Sequence, residues 1–519
     1  MKPNPELEKL LMIDIAASAM KELIELLTID QPFWIKSPTE GQYVLDHDSY
    51  YKMVARSKGF RNPNPRIESS KDSAVVAMDA RLLVDLYLDP VSLNYPFSLI
   101  VKLNFWLVGM CFNHFHILQD KWVDVFPTFF SKAETISVLK GGLLENRDDS
   151  LQLFHEQVHM LSPAMQQRDF YLLRYCRQIE TGVWVIADVS YNYFRGASHV
   201  SQTFYWKHPS GCMIEEMPNG LSRVTCIERV EVVDDVPVHT MYDDLVNSTL
   251  AFGAKRWIST LQRTFERYAF LKEAGIFNDE LGIGNESMII LASKLIKSYC
   301  SIFSLFGTSD LHQLSELTKN GVHVTSRKNT SPDLPVGIVI IAASSFWVPA
   351  SPERVFSYLN DHLMRSQWDI LCNGSRVCKI SQTPTGQHSS NAISVLQPQN
   401  LREEFMIFQE SVFEQTGSLI VYAPVEMTRM LELATGVDPA RVPILASGFA
   451  ITPDGPDGKD APSTSTSKPL PAGSLITAAF QILACTALSV DDKDVSTYVF
   501  PFADALVNRV VRVIKNVFD

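Results

Sequence analysis

Apolar positions near the start of the chain repeat with a helical period. Leu11, Ile15, Ala19, Leu23, Leu26 and Leu27 share one face and predict a helix over 11–29. Pro32 ends it, and Trp34-Ile35 opens an extended segment. From Phe170 to Val189 two β-rich runs flank Glu180-Thr181-Gly182, which reads as a hairpin. Further strands are expected at 199–207, 211–217 and 223–234, separated by Pro209-Ser210-Gly211 and Pro218-Asn219-Gly220. After Pro237 the period changes again. Val246, Leu250, Ala254, Trp257, Leu261, Phe265 and Tyr268 recur every three or four residues and predict one long amphipathic helix. Periodicity alone supports an α+β domain.

Met288, Leu291, Leu295, Tyr299, Ile302 and Phe306 predict another helix over 285–306, followed by a polar connector. Phe346-Trp347-Val348-Pro349 then leads through a Pro-initiated helix at Ser351–Leu359 to Trp368-Asp369. The chain ends in a helical stripe of Phe502, Leu506, Val510, Val513, Ile514 and Val517. Gly448–Gly455 loosely echoes Gly211–Gly220, so the second half reads as a divergent repeat of the first. Residues 455–473, rich in Pro, Ser, Gly and Thr, are expected to form a mobile loop.

Ordered motifs lie in the middle of the chain. They are Arg174-Tyr175-Cys176-Arg177-Gln178, Pro209–Cys212, Met217–Gly220, Val224–Glu231, Leu245–Ser248 and Ala251–Trp257. The block resembles the START lipid-binding domain of the plant class IV homeodomain leucine-zipper regulators, and the likeness runs with gaps from about Ile13 to the C-terminus. It implies a helix-grip fold, in which a curved antiparallel sheet wraps a long helix around an apolar cavity. The implied organisation is a START domain over 1–273, a helical connector over 274–334 and a START-associated, grip-like domain over 335–519. Arg174, Trp184, Leu250, Trp257 and Leu261 are the cavity wall that the resemblance implies, with a lipid or sterol-like ligand and no cofactor.

Arg174 and Arg177 point to opposite faces of their strand. Two readings stand: one of them enters the cavity to meet a lipid head group, or they are surface arginines paired with Glu180 or Asp188.

In the resembled family a homeodomain binds DNA and a leucine zipper dimerises. This sequence has no WFQNRR recognition helix and no sustained heptads, so neither activity carries over. It is expected to be a truncated relative, a partial gene model, or a regulator working through protein partners or related transcription factors.

Between Asp89 and Trp122 the family pattern breaks. Leu82–Pro90 should run almost directly into Asp120–Phe126, yet Val91–Gln119 intervenes, rich in Phe, Leu, Val, Ile and Asn. Its best apolar stretch, Phe97 to Phe112, contains Lys102 and Asn104 and falls short of the roughly 20 residues a membrane span needs. No membrane span is expected. A translated intron accounts for the segment better: a valine codon begins GT, glutamine can be CAG, and T-rich DNA translates into this composition. Sequencing cDNA across codons 85–125 tests this, and transcripts that all keep the segment defeat it.

The remaining composition narrows the function classes. The chain is 46% hydrophobic and 20% charged with a net charge of −12, and no long basic stretch offers itself to nucleic acid. No direct DNA binding is expected. The eight cysteines are scattered without CxxC spacing, as free thiols in a reducing compartment are. No signal peptide is evident after Lys2, Glu6, Glu8 and Lys9, so nucleus, or else cytoplasm, is the expected location.

His155-Glu156-Gln157-Val158-His159 matches the HExxH zinc-protease signature. The motif works on a helix, where positions i and i+4 converge. On the strand that the resemblance implies, the imidazoles would lie about 13 Å apart. No zinc site and no enzyme is therefore expected. Asp234-Asp235 and Asp243-Asp244 read as solvated or capping carboxylates. The favoured function is a lipid- or sterol-binding START regulator of transcription. A soluble lipid-transfer protein is the alternative, and a metalloprotease the remote one.

Overall fold

A computed structural model describes residues 5–36, 43–53, 66–88, 122–143, 146–192, 205–233, 238–273, 285–306, 315–329, 335–399, 405–455, 473–486 and 495–519. The 91–119 insertion and most of the 455–473 loop lie outside the described residues.

Helix α1 (Pro5–Thr28) comes first. It buries Met12, Ala16, Ala19, Met20, Leu23, Leu26 and Leu27, while Leu11 is exposed. The buried face is thus set slightly off the expected stripe. Then follow β1 (Trp34–Lys36), β2 (Tyr43–Leu45), α2 (His47–Met53), β3 (Arg66–Val76), α3 (Ala80–Leu88) and α4 (Trp122–Val125). Strands β4 (Phe130–Gly141), β5 (Ser150–Val158), β6 (Arg168–Glu180) and β7 (Val183–Ser190) form a meander. After β8 (Tyr205–Lys207), β9 (Ser210–Met217) and β10 (Leu221–Val232), the half closes with α5 (Asp243–Asn247) and α6 (Ala254–Glu273).

The expected hairpin turns at Glu180–Val183, and β9 and β10 turn over Pro218–Gly220. The single long helix expected from Val246 onward is two helices. Thr249 takes a left-handed φ of 60°, and a Cβ at Gly253 would overlap the Thr249 carbonyl oxygen, so the chain turns there. Leu250 sits on this turn, where its burial preserves the apolar period without helical backbone.

The second half begins with α7 (Asn285–Cys300), followed by β11 (Ser315–Leu317), β12 (His323–Asn329), β13 (Gly337–Val348), α8 (Pro352–Asn360) and α9 (Arg365–Trp368). Strands β14 (Val377–Pro384), β15 (Ala392–Pro398), β16 (Phe405–Val412) and β17 (Ser418–Glu426) follow. Helix α10 (Met427–Ala434), β18 (Ser447–Pro453), β19 (Ser474–Cys485) and α11 (Phe500–Phe518) complete it. Helix α11 buries Phe500, Ala503, Val507, Val510, Ile514 and Phe518, leaving Phe502 and Val517 exposed. The packed face is rotated slightly from the sequence stripe, keeping Val510 and Ile514 buried with Leu506 and Val513 at its edge.

The two sheets share one topology. The first runs β1-β2-β3-β10-β9-β7-β6-β5-β4, with β8 added beside β10. The second runs β11-β12-β13-β19-β18-β17-β16-β15-β14. Each is antiparallel and carries its long C-terminal helix, α6 or α11, on one face. Helix α1 covers the other face of the first sheet, and α7 that of the second. Residues 274–334 therefore contain more than a connector, because α7 is the second sheet's counterpart of α1.

The echo between Gly211 and Gly448 has a physical basis. Each opens the strand that pairs with the end of the meander, and a Cβ there would overlap the carbonyl oxygen of Ile186 or Ile420 respectively.

Candidate functional site

Between α6 and the first sheet lies a small cavity. Its volume is about 40 Å³. One end is aromatic, with Tyr87, Trp122, Phe129, Phe130 and Trp257. Trp122 stacks on Trp257 with centroids 5.6 Å apart, and the Trp257 indole donates to the Tyr87 hydroxyl at 3.0 Å.

The other end is charged, because side chains alternate across the pleat and a few inward positions are ionic. Arg174 on β6 faces Asp188 directly in the β6/β7 register and donates two hydrogen bonds to it, both 2.8 Å. It also donates to the Tyr87 carbonyl at 3.1 Å and reaches Glu156 at 3.5 Å. Lys207 on β8 pairs with Glu156 at 2.7 Å and with Glu228 at 2.8 Å. Burial alone would lower the pKa of Arg174 and of Lys207. The neighbours together outweigh it, Asp188 with Glu156 and Tyr87 for Arg174 and Glu156 with Glu228 and Asp188 for Lys207, so both are raised and both stay charged. Burial pushes the Glu228 carboxyl upward, with Lys207 opposing. A cluster of this kind, buried except for the part-exposed Glu228, is stable only while its members stay paired.

At a third point the wall is a stacked pair. The Arg168 guanidinium lies 3.8 Å from the centroid of Phe252 and pairs with Glu68 at 2.6 and 3.0 Å. The two side chains separate the cavity from a hollow of about 10 Å³ lined by Met165, Tyr205, Val238 and Val246.

Of the side chains expected at the wall, Arg174 and Trp257 line this cavity. Trp184, Leu250 and Leu261 are buried in the same hydrophobic core and do not line it; the Trp184 indole donates to the Asn146 carbonyl at 2.8 Å. Each reading of the arginines is met only in part, since the inward one is already paired and the exposed one pairs with neither Glu180 nor Asp188. Arg174 faces inward and is paired with Asp188, whereas Arg177 is exposed and pairs with Asp148 at 2.9 Å. The wall expected to be apolar is charged over much of its extent, because Glu156, Lys207 and Glu228 come together only through the sheet order.

The HExxH segment falls on β5 and the residue after it. His155 points out of the cavity, stacks on Tyr171 and bonds Asp169 at 2.7 Å. His159 donates or accepts against no carboxylate, meeting the Pro127 carbonyl at 2.9 Å, while Glu156 between them turns inward. Among the described residues no group of three His, Cys, Asp or Glu side chains could hold a metal, and the metalloprotease reading has no support. None of the seven described cysteines is in a disulfide. No helix of the described residues is long and apolar enough to cross a membrane.

The face of α6 opposite the cavity carries residues that the apolar period does not reveal. Arg256, Thr260, Arg263 and Arg267 form a buried stripe against the second half. Arg267 makes a bidentate pair with Glu410 at 2.6 and 3.0 Å, and Arg263 bonds the Thr385 carbonyl and hydroxyl, both at 2.7 Å. Arginines at spacings of four and seven on a core helix were the available signal.

A START domain model matches residues 113–267, and a model of the PDF2-like C-terminal domain matches residues 283–519. Homeobox-leucine zipper protein ROC8 of Oryza sativa subsp. japonica is 37% identical, covering 93% of this chain and 67% of its own. Homeobox-leucine zipper protein HDG11 of Arabidopsis thaliana is 36% identical over 92% of this chain and 63% of its own. HDG8 of the same plant is 33% identical over 100% and 71%. The chain thus spans 63–71% of the length of these relatives. Human StAR-related lipid transfer protein 5 matches 50% of this chain and 98% of its own at 12% identity and a TM-score of 0.31. Its START and PDF2-like domains, and relatives this similar along nearly its whole length, make the chain a member of the class IV homeobox-leucine zipper family.

Proposed function

We propose that the first half binds a neutral, hydroxyl-bearing lipid of sterol type beneath α6, and that occupancy regulates transcription in the nucleus. The observation that carries this reading is the cavity's two-ended wall. Aromatic rings at one end offer dispersion and exclude water, while the other end presents carboxylates whose cations are already engaged. A free phosphate would meet Asp188, Glu156 and Glu228 without a spare cation. A ligand hydroxyl can donate to the same carboxylates at no such cost.

In this conformation the cavity admits only a few waters, so a lipid enters by displacing part of the wall. Parting Phe252 from Arg168 would join it to the neighbouring hollow. Burying apolar ligand surface then returns roughly 25 cal/mol per Å².

The regulatory role is drawn from the relatives' names as homeobox-leucine zipper proteins. These 519 residues carry a charge of −12, which opposes direct contact between them and DNA. Lipid transfer needs only the cavity and its moving wall, and is the second reading. Native mass spectrometry of protein from its own source tests ligand binding. A lipid extract indistinguishable from the blank defeats both readings, and fluorescence of a tagged chain in living cells separates them.

A further inference from the structure

A second, larger cavity lies between the two halves. Its volume is about 130 Å³, against about 40 Å³ under α6. The arginine stripe of α6 walls it on one side. The turn between β16 and β17, with Glu414, Thr416 and Gly417, walls it on the other. Apolar surface comes from Leu161, Val412 and Leu419.

Its charge balance is unlike that of the first cavity. Arg256 is buried and donates only to carbonyls: Ala251 at 2.9 Å, Thr128 at 2.7 Å and His159 at 2.9 Å. It makes no ion pair among the described residues, and burial lowers its pKa only to about 10, so it stays cationic at neutral pH. Arg263 is also buried. Its terminal nitrogens hold Thr385 and Glu266, but its Nε has no partner. The other charged lining groups are accounted for: Arg267 is neutralised by Glu410 and Asp124 by Lys297. Burial pushes the Glu414 carboxyl up to about 8, against the pull of Arg263 and Arg256, which weakens it as a fixed counter-charge to them near neutral pH.

We infer that this interdomain cavity is a second ligand site, for a compact amphiphile whose anionic head meets Arg256 and Arg263 and whose apolar part lies against Leu161, Val412 and Leu419. The head is a carboxylate or a phosphate ester. Either suits, because Arg256 brings a buried charge that is in no ion pair among the described residues and Arg263 an Nε–H without a partner, and both heads have several acceptor oxygens. The inference stands apart from the sterol-type site, whose charged end disfavours an anion.

The full chain is titrated calorimetrically with octanoate, octyl phosphate, octanol and inorganic phosphate. One equivalent of octanoate or octyl phosphate is expected to bind, whichever binds tighter naming the head. Octanol and inorganic phosphate should each bind at least tenfold more weakly. Two variants locate the site. A Cβ at Gly417 would sit 3.5 Å from Thr452 Cγ2, an ordinary contact, so Gly417→Leu fills the cavity without backbone strain and should abolish binding. Cys226→Phe fills the first cavity instead and should leave anion binding measurable, shifted through α6 but not abolished. Arg263→Gln should weaken octanoate at least tenfold; if that variant fails to fold, Gly417→Leu decides alone. Octanol binding as tightly as octanoate, or octanoate binding unchanged in Gly417→Leu, overturns the inference. Loss of anion binding in Cys226→Phe alone would place the ligand in the first cavity and overturn it too.

Discussion

Arg168 and Phe252 are stacked 3.8 Å apart where the cavity under α6 adjoins a smaller hollow. Arg168 is anchored from behind by Glu68, so the movable member of the pair is Phe252, on the turn between α5 and α6.

Phe252→Leu keeps an apolar side chain and removes the cation–π attraction, which contributes about 2 kcal/mol when desolvated. Uptake of a fluorescent sterol should then accelerate by about tenfold, read by stopped flow. An unchanged rate would mean the ligand enters elsewhere.

The Arg267–Glu410 pair joins the grip helix of one half to a central strand of the other. Arg267→Met leaves Glu410 buried and uncompensated, a loss of about 3–5 kcal/mol. Adding Glu410→Met should recover most of it, because two apolar side chains need no partner. Urea denaturation of the single and double variants measures both numbers. A double variant no better than the single would show that the pair's value lies in its geometry.

His159 makes the fold sensitive to acid. Burial first, and the Arg256 charge second, lower its pKa to about 4, with only the Pro127 carbonyl pulling the other way. The unfolded chain titrates near 6.5, so between pH 6.5 and 4 the unfolded state binds the extra proton. Stability is full above that window and falls as pH drops through it, by about 3 kcal/mol from this residue. His159→Gln keeps a donor for Pro127 and should flatten that slope in denaturation curves taken across the window.

Gly211→Ala and Gly448→Ala should be the matched lesions of the two sheets. Each drives a methyl group into a carbonyl oxygen of the adjacent strand, and Gly211 also has a φ of 135°. Losses above about 3 kcal/mol are expected for each. Thermal unfolding followed by circular dichroism checks them, and a mild effect at Gly448 alone would mean the second sheet opens more easily there.

Much of the fold was legible because turns and apolar periods are local. The 180–182 hairpin, the Pro218 turn and the Pro352 helix all stand where their residues place them. The break at Thr249–Gly253 was hidden because Leu250 keeps the apolar period through a non-helical turn. Residues 285–306 read as a helix, but nothing local says that α7 covers a sheet formed later in the chain. Of the candidate site, Arg174 was visible as a charge in an apolar strand. Its companions Glu156, Lys207 and Glu228 converge only through strand pairing across more than one turn of the chain. The arginine stripe of α6 was obscured for a different reason: its partner surface belongs to the other half.

Helix α6 is therefore a partition common to both cavities, with Trp257 and Ala254 on one and Arg256 and Arg263 on the other. Close packing leaves it little room to yield on one side without shifting on the other. Any ligand that prefers one setting of the helix must alter affinity at the opposite face by a factor that works equally in reverse. The fold thus supplies a route by which an oily molecule held in the first half could be read out as a change in what the second half holds.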